Sequence, residues 1–296
     1  MPKCAIVTEN KELIIPDNKT FTIIIHDIET NKQKSILKGH KLEINSIVLM
    51  DDEVRLISGS ADRTIIIWNL ISCIQLANLS GHALDITSLF LTRDMVLIGS
   101  GSYDSVRLWN IEKKILVFEK YFESCVKSLA MTSDNRFLFL GLQNAQVKNY
   151  DFEFATVKLI TSFDSPVEKV SITNNDKFAV FVSSGSHLKV WNISKDNIEV
   201  VFSSKDNLLK SFIICKNDAY IPLKSGIGIL KLDNIFSNKY TGYKQKAILD
   251  KINEIEFTLD ALDDCVEMYD TSFLKKITEG NIELLEFLSD YFYFKN

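Results

Sequence analysis

The sequence predicts an all-β fold built from small antiparallel sheets that repeat along the chain, and two observations lead to this prediction. The first is a tandem repeat. Gly39 to Asn69 (GHKLEINSIVLMDDEVRLISGSADRTIIIWN) is followed by Gly81 to Asn110 (GHALDITSLFLTRDMVLIGSGSYDSVRLWN), and both open on Gly-His and close on Trp-Asn. The second is that the apolar runs are short and often rich in β-branched residues, which favour a half-buried strand over a helix.

The spacing of polar residues is also shared by the two copies. In each copy the His precedes the first Ser of the turn by 18 residues, and that Ser precedes an Asp by four. The residues are His40, Ser58, Asp62 and Trp68 in the first copy, and His82, Ser100, Asp104 and Trp109 in the second. The Asp precedes the Trp by six residues in the first copy and by five in the second. The pattern recurs along the chain with a period of about 41 residues, which indicates a repeat architecture.

The N-terminal region predicts a degenerate first unit of the same kind. It contains four short extended segments separated by turn-forming polar residues. They are Cys4–Thr8, Glu12–Ile15, Phe21–Ile28 and Gln33–Leu37. His26-Asp27 stands where Trp-Asn stands in the later copies.

Three weaker units follow the two clear ones at similar spacing. Phe122 and Phe163 take the place of the His, and Asn144 takes the place of the Asp in the fourth unit. Tyr150-Asp151 and Trp191-Asn192 take the place of Trp-Asn. A sixth, faint echo runs from about Asn207 to Asp233.

These Gly-His, Ser-Gly-Ser-x-Asp and Trp-Asn signals resemble the WD-repeat β-propeller family over about residues 3 to 233. The resemblance implies four-stranded antiparallel blades packed around a central channel. We therefore expect a propeller over residues 1–258, with six recognisable blades and an open choice between six and seven. The expected units are about 3–37, 38–79, 80–119, 120–161, 162–203, 204–250 and a partial seventh at 251–258.

The C-terminal segment, residues 259–296, is expected to be helical and acidic. From Asp250 onward there are 12 acidic residues and four Lys, whereas the other 249 residues carry 27 acidic and 30 basic ones. Ile282, Leu285 and Leu288 lie on one stripe at helical spacing. These helices either pack on the propeller rim, dock a partner, or begin a helical region.

The resemblance also implies that the two sets of His, Ser, Asp and Trp are structural hydrogen-bond tetrads. A buried indole N–H needs an acceptor, and an Asp fixes the tautomer of an imidazole. The alternative is a hydrolytic Ser-His-Asp triad. That reading is weaker, because a catalytic Ser would not recur in tandem copies, each with a Trp needing the same partners. For the shorter second copy, either Asp104 reaches His82 through a tighter turn or Tyr103 takes its place. Units with Phe122 and Phe163 in place of the His should depend on apolar packing alone.

Other chemistry is not indicated by the sequence. There is no Gly-rich phosphate-binding motif, no His or Cys at metal-ligand spacing, and no concentrated Lys/Arg surface for nucleic acid. No run is long and apolar enough to span a bilayer, and the first ten residues do not form a secretory signal. Five isolated Cys suit reduced thiols. We expect an intracellular, cytoplasmic protein, with the nucleus as the alternative, and no enzyme activity, cofactor, metal or membrane partner.

The remaining candidate for function is a surface that binds other proteins or peptides. In the WD-repeat family the loops carrying the Gly-His and Ser-x-x-x-Asp elements commonly bind partners. On this chain those loops carry Lys41, Glu43, Arg63, Asp85, Tyr103, Glu123, Asp164 and His187. The sequence therefore predicts a noncatalytic scaffold, a subunit of a larger assembly. The alternative is a module for modified peptides, which needs an aromatic cage or Arg cluster that Tyr103 and Arg63 only suggest.

Overall fold

The computed structural model describes residues 4–30, 32–185, 187–203, 213–215, 218–223 and 226–231, and from residue 199 onward it describes the backbone alone. Within these residues the regular secondary structure consists of β-strands. Within a sheet, each strand pairs antiparallel with the strands next to it in the chain. Five four-stranded sheets are described, which confirms the predicted all-β class. The chain divides into two compact units, Met1–Ser162 and Phe163–Asn296.

The first unit contains four sheets, each a four-stranded meander. Sheet 1 consists of β1 (Ile6–Val7), β2 (Glu12–Asp17), β3 (Thr22–Asp27) and β4 (Lys32–Lys38). Sheet 2 consists of β5 (Ile44–Leu49), β6 (Arg55–Ser60), β7 (Thr64–Asn69) and β8 (Ile74–Ser80). Sheet 3 consists of β9 (Ile86–Leu91), β10 (Leu97–Ser102), β11 (Ser105–Asn110) and β12 (Ile115–Tyr121). Sheet 4 consists of β13 (Val126–Met131), β14 (Phe137–Leu142), β15 (Gln146–Asp151) and β16 (Thr156–Ser162).

The sheets of the first unit pack face to face, which explains their burial pattern. The two middle strands of sheets 2 and 3 are buried along nearly their whole length, whereas the fourth strands are mostly exposed. A strand that is buried on both faces needs a continuous apolar run, which the β-branched sequence TIII of β7 supplies. Separate apolar clusters fill the spaces between sheets 1 and 2, 2 and 3, and 3 and 4.

The first strands of neighbouring sheets are linked by side-chain hydrogen bonds. The amide of Asn45 donates to the carbonyl oxygen of Ile86 at 2.8 Å, and the backbone N–H of Leu89 donates to Ser46 Oγ at 3.1 Å. The hydroxyl of Thr87 donates to the carbonyl oxygen of Val126. These bonds give β5, β9 and β13 a fixed order within the unit.

The second unit contains the remaining described strands. Sheet 5 consists of β17 (Val167–Ile172), β18 (Phe178–Ser183), β19 (His187–Asn192) and β20 (Asn197–Ser203). Sheet 6 has three described strands, β21 (Ile213–Cys215), β22 (Asp218–Leu223) and β23 (Gly226–Lys231). The sixth predicted unit, about 204–250, is thus described only in part. The partial seventh unit at 251–258 and the helical segment at 259–296 lie outside the described residues.

Because each sheet is an antiparallel meander, its loops fall into two groups at opposite ends. We call one group the front loops. They precede the first strand of a sheet or join its second and third strands, and in sheets 2 to 4 of the first unit they comprise residues 39–43, 61–63, 81–85, 103–104, 122–125 and 143–145. The back turns join the first strand to the second and the third to the fourth. The repeated His and Asp of the sequence fall on the front loops, and the repeated Ser and Trp lie within the second and third strands of sheets 2 and 3.

Candidate functional site

In sheet 2, the four repeated polar residues form one chain of hydrogen bonds. His40 lies on a front loop, Ser58 on β6, Asp62 on the turn between β6 and β7, and Trp68 on β7. Trp68 Nε1 donates to Ser58 Oγ at 2.8 Å, and Ser58 Oγ lies 2.7 Å from His40 Nε2. His40 Nδ1 lies 2.9 Å from Asp62 Oδ2. Since the carboxylate can only accept, Nδ1 carries the proton and Nε2 accepts from the Ser58 hydroxyl.

Asp62 is held by more than His40. It also accepts hydrogen bonds from the backbone N–H of Lys41 at 2.9 Å and from the hydroxyl of Thr64 at 2.6 Å. Burial alone would raise the pKa of this carboxyl, but the bonds from His40, Thr64 and Lys41 together lower the pKa below its usual range. Asp62 is therefore a fixed anion that joins two front loops of sheet 2, residues 39–43 and residues 61–63.

The glycine of each Gly-His pair is required by the tryptophan beneath it. A Cβ on Gly39 would lie 2.8 Å from Cη2 of Trp68, and one on Gly81 would lie 3.1 Å from Cη2 of Trp109. Gly81 also has a φ of +154°. A side chain at either position would crowd the indole, and at Gly81 it would also meet Nη1 of Arg107, 2.8 Å from the added Cβ, so packing explains the glycine.

Sheet 3 contains three of the four expected hydrogen-bonding residues in the same arrangement. Trp109 Nε1 donates to Ser100 Oγ at 2.9 Å, and His82 Nε2 lies 2.7 Å from that oxygen. His82, Ser100 and Trp109 are all buried, as are His40, Ser58 and Trp68.

Asp104, which was expected to complete the second tetrad, does not bond to His82. Its Oδ1 is buried and has no hydrogen-bond partner among the described residues. Three residues separate β6 from β7, but only two separate β10 from β11. The shorter turn leaves Ser105 Oγ 3.4 Å from His82 Nδ1, as Thr64 Oγ1 lies 3.4 Å from His40 Nδ1. Tyr103 does not replace Asp104, because its side chain is 53% exposed.

The surroundings of His82 disfavour a charged imidazole. Burial lowers the pKa of His82, and the nearby guanidinium of Arg107 lowers it further, to about 4, against the opposing effects of Asp104 and Glu119. Arg107 is itself buried, and its Nε donates to Glu119 Oε1 at 2.7 Å. His82 is therefore neutral at physiological pH.

The candidate partner-binding residues of the first unit lie on the front loops, and most are exposed. Lys41, Glu43, Arg63, Tyr103 and Glu123 are exposed, and Asp85 is half-buried. The guanidinium Nη1 of Arg63 donates to the carbonyl oxygen of Ala83 at 3.3 Å, so Arg63 connects the front loops of sheets 2 and 3. The loops of these two sheets are thus held together by a side chain as well as by the strands beneath.

In the second unit, the two remaining candidates differ in their setting. Asp164 is exposed on the loop before β17. His187, expected in a turn, is the first residue of β19 and is half-buried. The chain turns at Ser184 and Gly185, so the strand begins earlier than the sequence suggested.

Comparison with known proteins adds one match. Residues 31–69 match the family model described as WD domain, G-beta repeat. The chain carries a WD repeat. The matched segment extends from β4, the last strand of sheet 1, through β5, β6 and β7 of sheet 2. The resemblance seen in the sequence is confirmed by this match and by the recurrence of four-stranded sheets. No curated protein matches the chain in the corresponding sequence comparison.

The burial of the WD-repeat residues argues against a hydrolytic triad. Ser58 has no exposed surface, and its oxygen already accepts from Trp68 while its hydroxyl is directed to His40. A nucleophilic Ser must instead reach a substrate and be able to attack it. Among the described residues, no group of three or more His, Cys, Asp and Glu is placed to hold a metal ion. In the same residues, no helix is long and apolar enough to cross a membrane.

The later sheets replace the polar network of the WD repeat with apolar and cation–π contacts. In sheet 4, Phe122 packs on the cluster shared with sheet 3, which contains Leu140 and Tyr150. In sheet 5, Phe163 is buried and the ammonium group of Lys189 lies 4.5 Å from its ring centroid. The expectation of apolar packing alone is therefore incomplete for sheet 5, since a cation stacks on the phenylalanine that replaces the histidine.

Sequence reasoning missed two exposed apolar residues on the front loops. Leu42 and Leu84 are 47% and 43% exposed. Each follows the histidine of its repeat by two residues, so both stand at the same position in the two clear copies. Comparing the copies for apolar residues outside the predicted strands would have found them. They add apolar contact area to a loop surface that had seemed to carry mainly charge.

Proposed function

We propose that this protein is a noncatalytic scaffold that binds partner proteins through its front loops, as a subunit of an intracellular, cytoplasmic assembly. The β-propeller closure and the helical C-terminal segment belong to the same proposal. The closure is supported by the sequence period and by the stacking of four-stranded sheets in the first unit. The helical segment is supported by the helical spacing of Ile282, Leu285 and Leu288.

One observation carries the proposal. The residues that could have served chemistry are buried and bonded to each other beneath the front loops, whereas the loop surface above them exposes Leu42, Leu84, Tyr103 and Arg63. Partly exposed apolar and aromatic residues beside an arginine suit protein recognition, particularly on loops held by a rigid scaffold. A buried network of this kind supports the loops, and its own Ser and His side chains are engaged with one another rather than free for catalysis.

The test is affinity capture by the full chain followed by quantitative mass spectrometry. A front-loop variant with Arg63→Glu, Tyr103→Ala and Leu84→Asp should lose most of the captured proteins, because the three changes remove apolar contacts and reverse a charge. A control variant with Glu112→Lys and Lys113→Glu changes exposed residues of a back turn and should capture the same proteins as the native chain.

Two outcomes would count against the proposal. One is a chain that remains monomeric and captures nothing. The other is a front-loop variant whose captured proteins equal those of the native chain while the control variant loses them, since this would move the binding surface to the back turns.

A further inference from the structure

The outer seam between sheets 3 and 4 exposes apolar residues over an aromatic floor. The ring of Phe118, on β12 of sheet 3, lies 5.1 Å from that of Tyr150 and 4.8 Å from that of Phe152, both of sheet 4. The Tyr150 and Phe152 rings are 4.8 Å apart. These three rings close the gap between the sheets and form a fixed apolar surface.

Two exposed aliphatic residues continue this surface on β16. Val157 is paired across the sheet with Tyr150, and Leu159 is paired with Lys148. Residues paired in this way project from the same face, so Val157 and Leu159 lie on the side of Tyr150. Their side chains are 41% and 50% exposed. Large aliphatic side chains exposed beside an aromatic floor are typical of contact surfaces.

The seam also carries two cations. Lys120 lies two residues beyond Phe118 on the same face of β12, opposite Val106, which belongs to the cluster between sheets 3 and 4. Lys148 lies two residues before Tyr150 on β15. Both lysines are half-buried, and among the described residues neither forms an ion pair.

Comparison with sheet 3 shows that Lys148 has no acidic partner on the neighbouring strand. At the position of Lys148, sheet 3 has Arg107, which is paired across the strands with Glu119 and bonded to its carboxylate. In sheet 4 the corresponding cross-strand partner is Leu159. The acidic residue that neutralises the cation in sheet 3 is therefore replaced in sheet 4 by an exposed aliphatic one.

We propose that this seam docks a segment of a partner protein that combines large apolar side chains with carboxylates. The apolar side chains pack on Phe118, Phe152, Val157 and Leu159, and the carboxylates pair with Lys120 and Lys148. The outer edge of sheet 1 presents a different surface, because β4 begins with Lys-Gln-Lys and its first three residues are exposed. The seam is formed by residues of the outer strands and of one back turn and includes none of the front-loop residues, so this inference is independent of the proposed function.

The test uses a random peptide library of about 12 residues displayed on phage, selected against the immobilised full chain. We expect enriched peptides to carry at least two Asp or Glu among large apolar residues. For a synthetic copy of the most enriched peptide, Lys120→Glu combined with Lys148→Glu should weaken binding by at least about tenfold, because two charge pairs become repulsive. Leu159→Asp should abolish binding.

Matched controls separate the seam from other surfaces. Lys113→Glu reverses an exposed charge in a back turn of sheet 3, and Ile71→Asp places an acid at a residue that is 79% exposed in a back turn of sheet 2. Both variants should bind the peptide as the native chain does. The front-loop variant should bind it equally well. Enrichment of neutral or basic peptides, or binding insensitive to the double lysine reversal, would overturn the proposal. A dimer in sedimentation that Leu159→Asp dissociates would also overturn it, by assigning the seam to a second copy of the chain.

Discussion

Asp62 and Asp104 hold the same place in the sequence repeat but have different surroundings. Asp62 accepts hydrogen bonds from three residues of its own repeat, whereas Oδ1 of Asp104 is buried and has no hydrogen-bond partner among the described residues. The difference arises from a single residue in the turn. With two turn residues instead of three, the carboxylate of Asp104 cannot approach His82 from the same direction.

This contrast predicts that an Asp→Asn substitution changes the free energy of unfolding differently at the two positions. Asp62→Asn should lower the free energy of unfolding by about 1–3 kcal/mol, because an amide N–H₂ would face the donors that the carboxylate now accepts. Asp104→Asn should leave the free energy of unfolding unchanged within about 0.5 kcal/mol, or raise it slightly, since burying a neutral amide costs less than burying a charge. Urea unfolding midpoints of both variants check this prediction. Equal destabilisation by the two substitutions would contradict the assigned hydrogen bonds.

His82 predicts a loss of stability on acidification. Its pKa is lowered from 6.5 to about 4 in the folded protein, so between these pH values the unfolded chain binds a proton that the folded chain does not. The contribution of His82 to the free energy of unfolding is therefore fully present above about pH 6.5. It is lost as the pH drops towards 4, and the loss is on the order of 3 kcal/mol at most.

Thermal melts across this range measure the effect, with His82→Gln as the comparison. Glutamine can accept the Ser100 hydroxyl but does not titrate, so the variant should show a flatter dependence of melting temperature on pH between 6.5 and 4. An unchanged slope would show that groups other than His82 govern the acid sensitivity.

At the scale of elements, many turns place residues other than glycine in the left-handed backbone conformation. The sequence has only 11 Gly, and 12 non-glycine residues of the described chain have positive φ. Many lie in the turns between strands, including Met95, Asn135 and Asp176 in back turns of sheets 3, 4 and 5. In these turns a Thr hydroxyl pairs with an Asp or Asn two residues on, as Thr92 does with Asp94 at 2.5 Å. The polar side chains thus hold a conformation that glycine would adopt at lower cost.

One such turn predicts a stabilising glycine. Ala155 is exposed in the back turn between β15 and β16 and has a φ of 53°. Ala155→Gly should raise the free energy of unfolding by up to about 1 kcal/mol, because it removes the Cβ strain of the left-handed conformation. Ala83→Gly is the matched control, since Ala83 is exposed and is not among the residues with positive φ; that change should be neutral or destabilising. Denaturant midpoints that move in the opposite order would contradict the strain argument.

The sequence was sufficient to predict elements where two copies could be compared. In the degenerate first repeat, which has no close copy, turn-forming residues and short apolar runs were the signal. The four segments expected there overlap β1 to β4, although β2 extends to Asp17 and β4 begins at Lys32. The fate of Asp104 could not be predicted, because the spacing alone did not show whether the missing residue belonged to the turn or to β11. Arg107 and Lys189 were also missed, since a cation within a strand has no signal in a single sequence until its neighbours across the sheet are known.

For the whole molecule, the sequence predicted the kind of architecture better than the partners. Repeated spacing specifies sheets that pack on one another, and the WD repeat at residues 31–69 agrees with it. Binding surfaces depend on which side chains remain exposed after the sheets have packed. Leu42, Leu84 and Leu159 look like ordinary core residues in the sequence, and only their exposure marks them as contact residues.

The offset between the matched segment and the sheets has an evolutionary consequence. One WD repeat supplies the last strand of one sheet and three strands of the next. The WD repeat of the sequence and the sheet that folds therefore differ in phase but have the same period. An in-frame duplication of one whole period adds a complete sheet wherever the copy begins, because the strand lost at one boundary is returned at the other. A gene of this kind can gain a sheet in one step, and each copy can then vary at its His and Ser positions separately. Sheets 4 and 5 carry Phe122 and Phe163 at the position of the His.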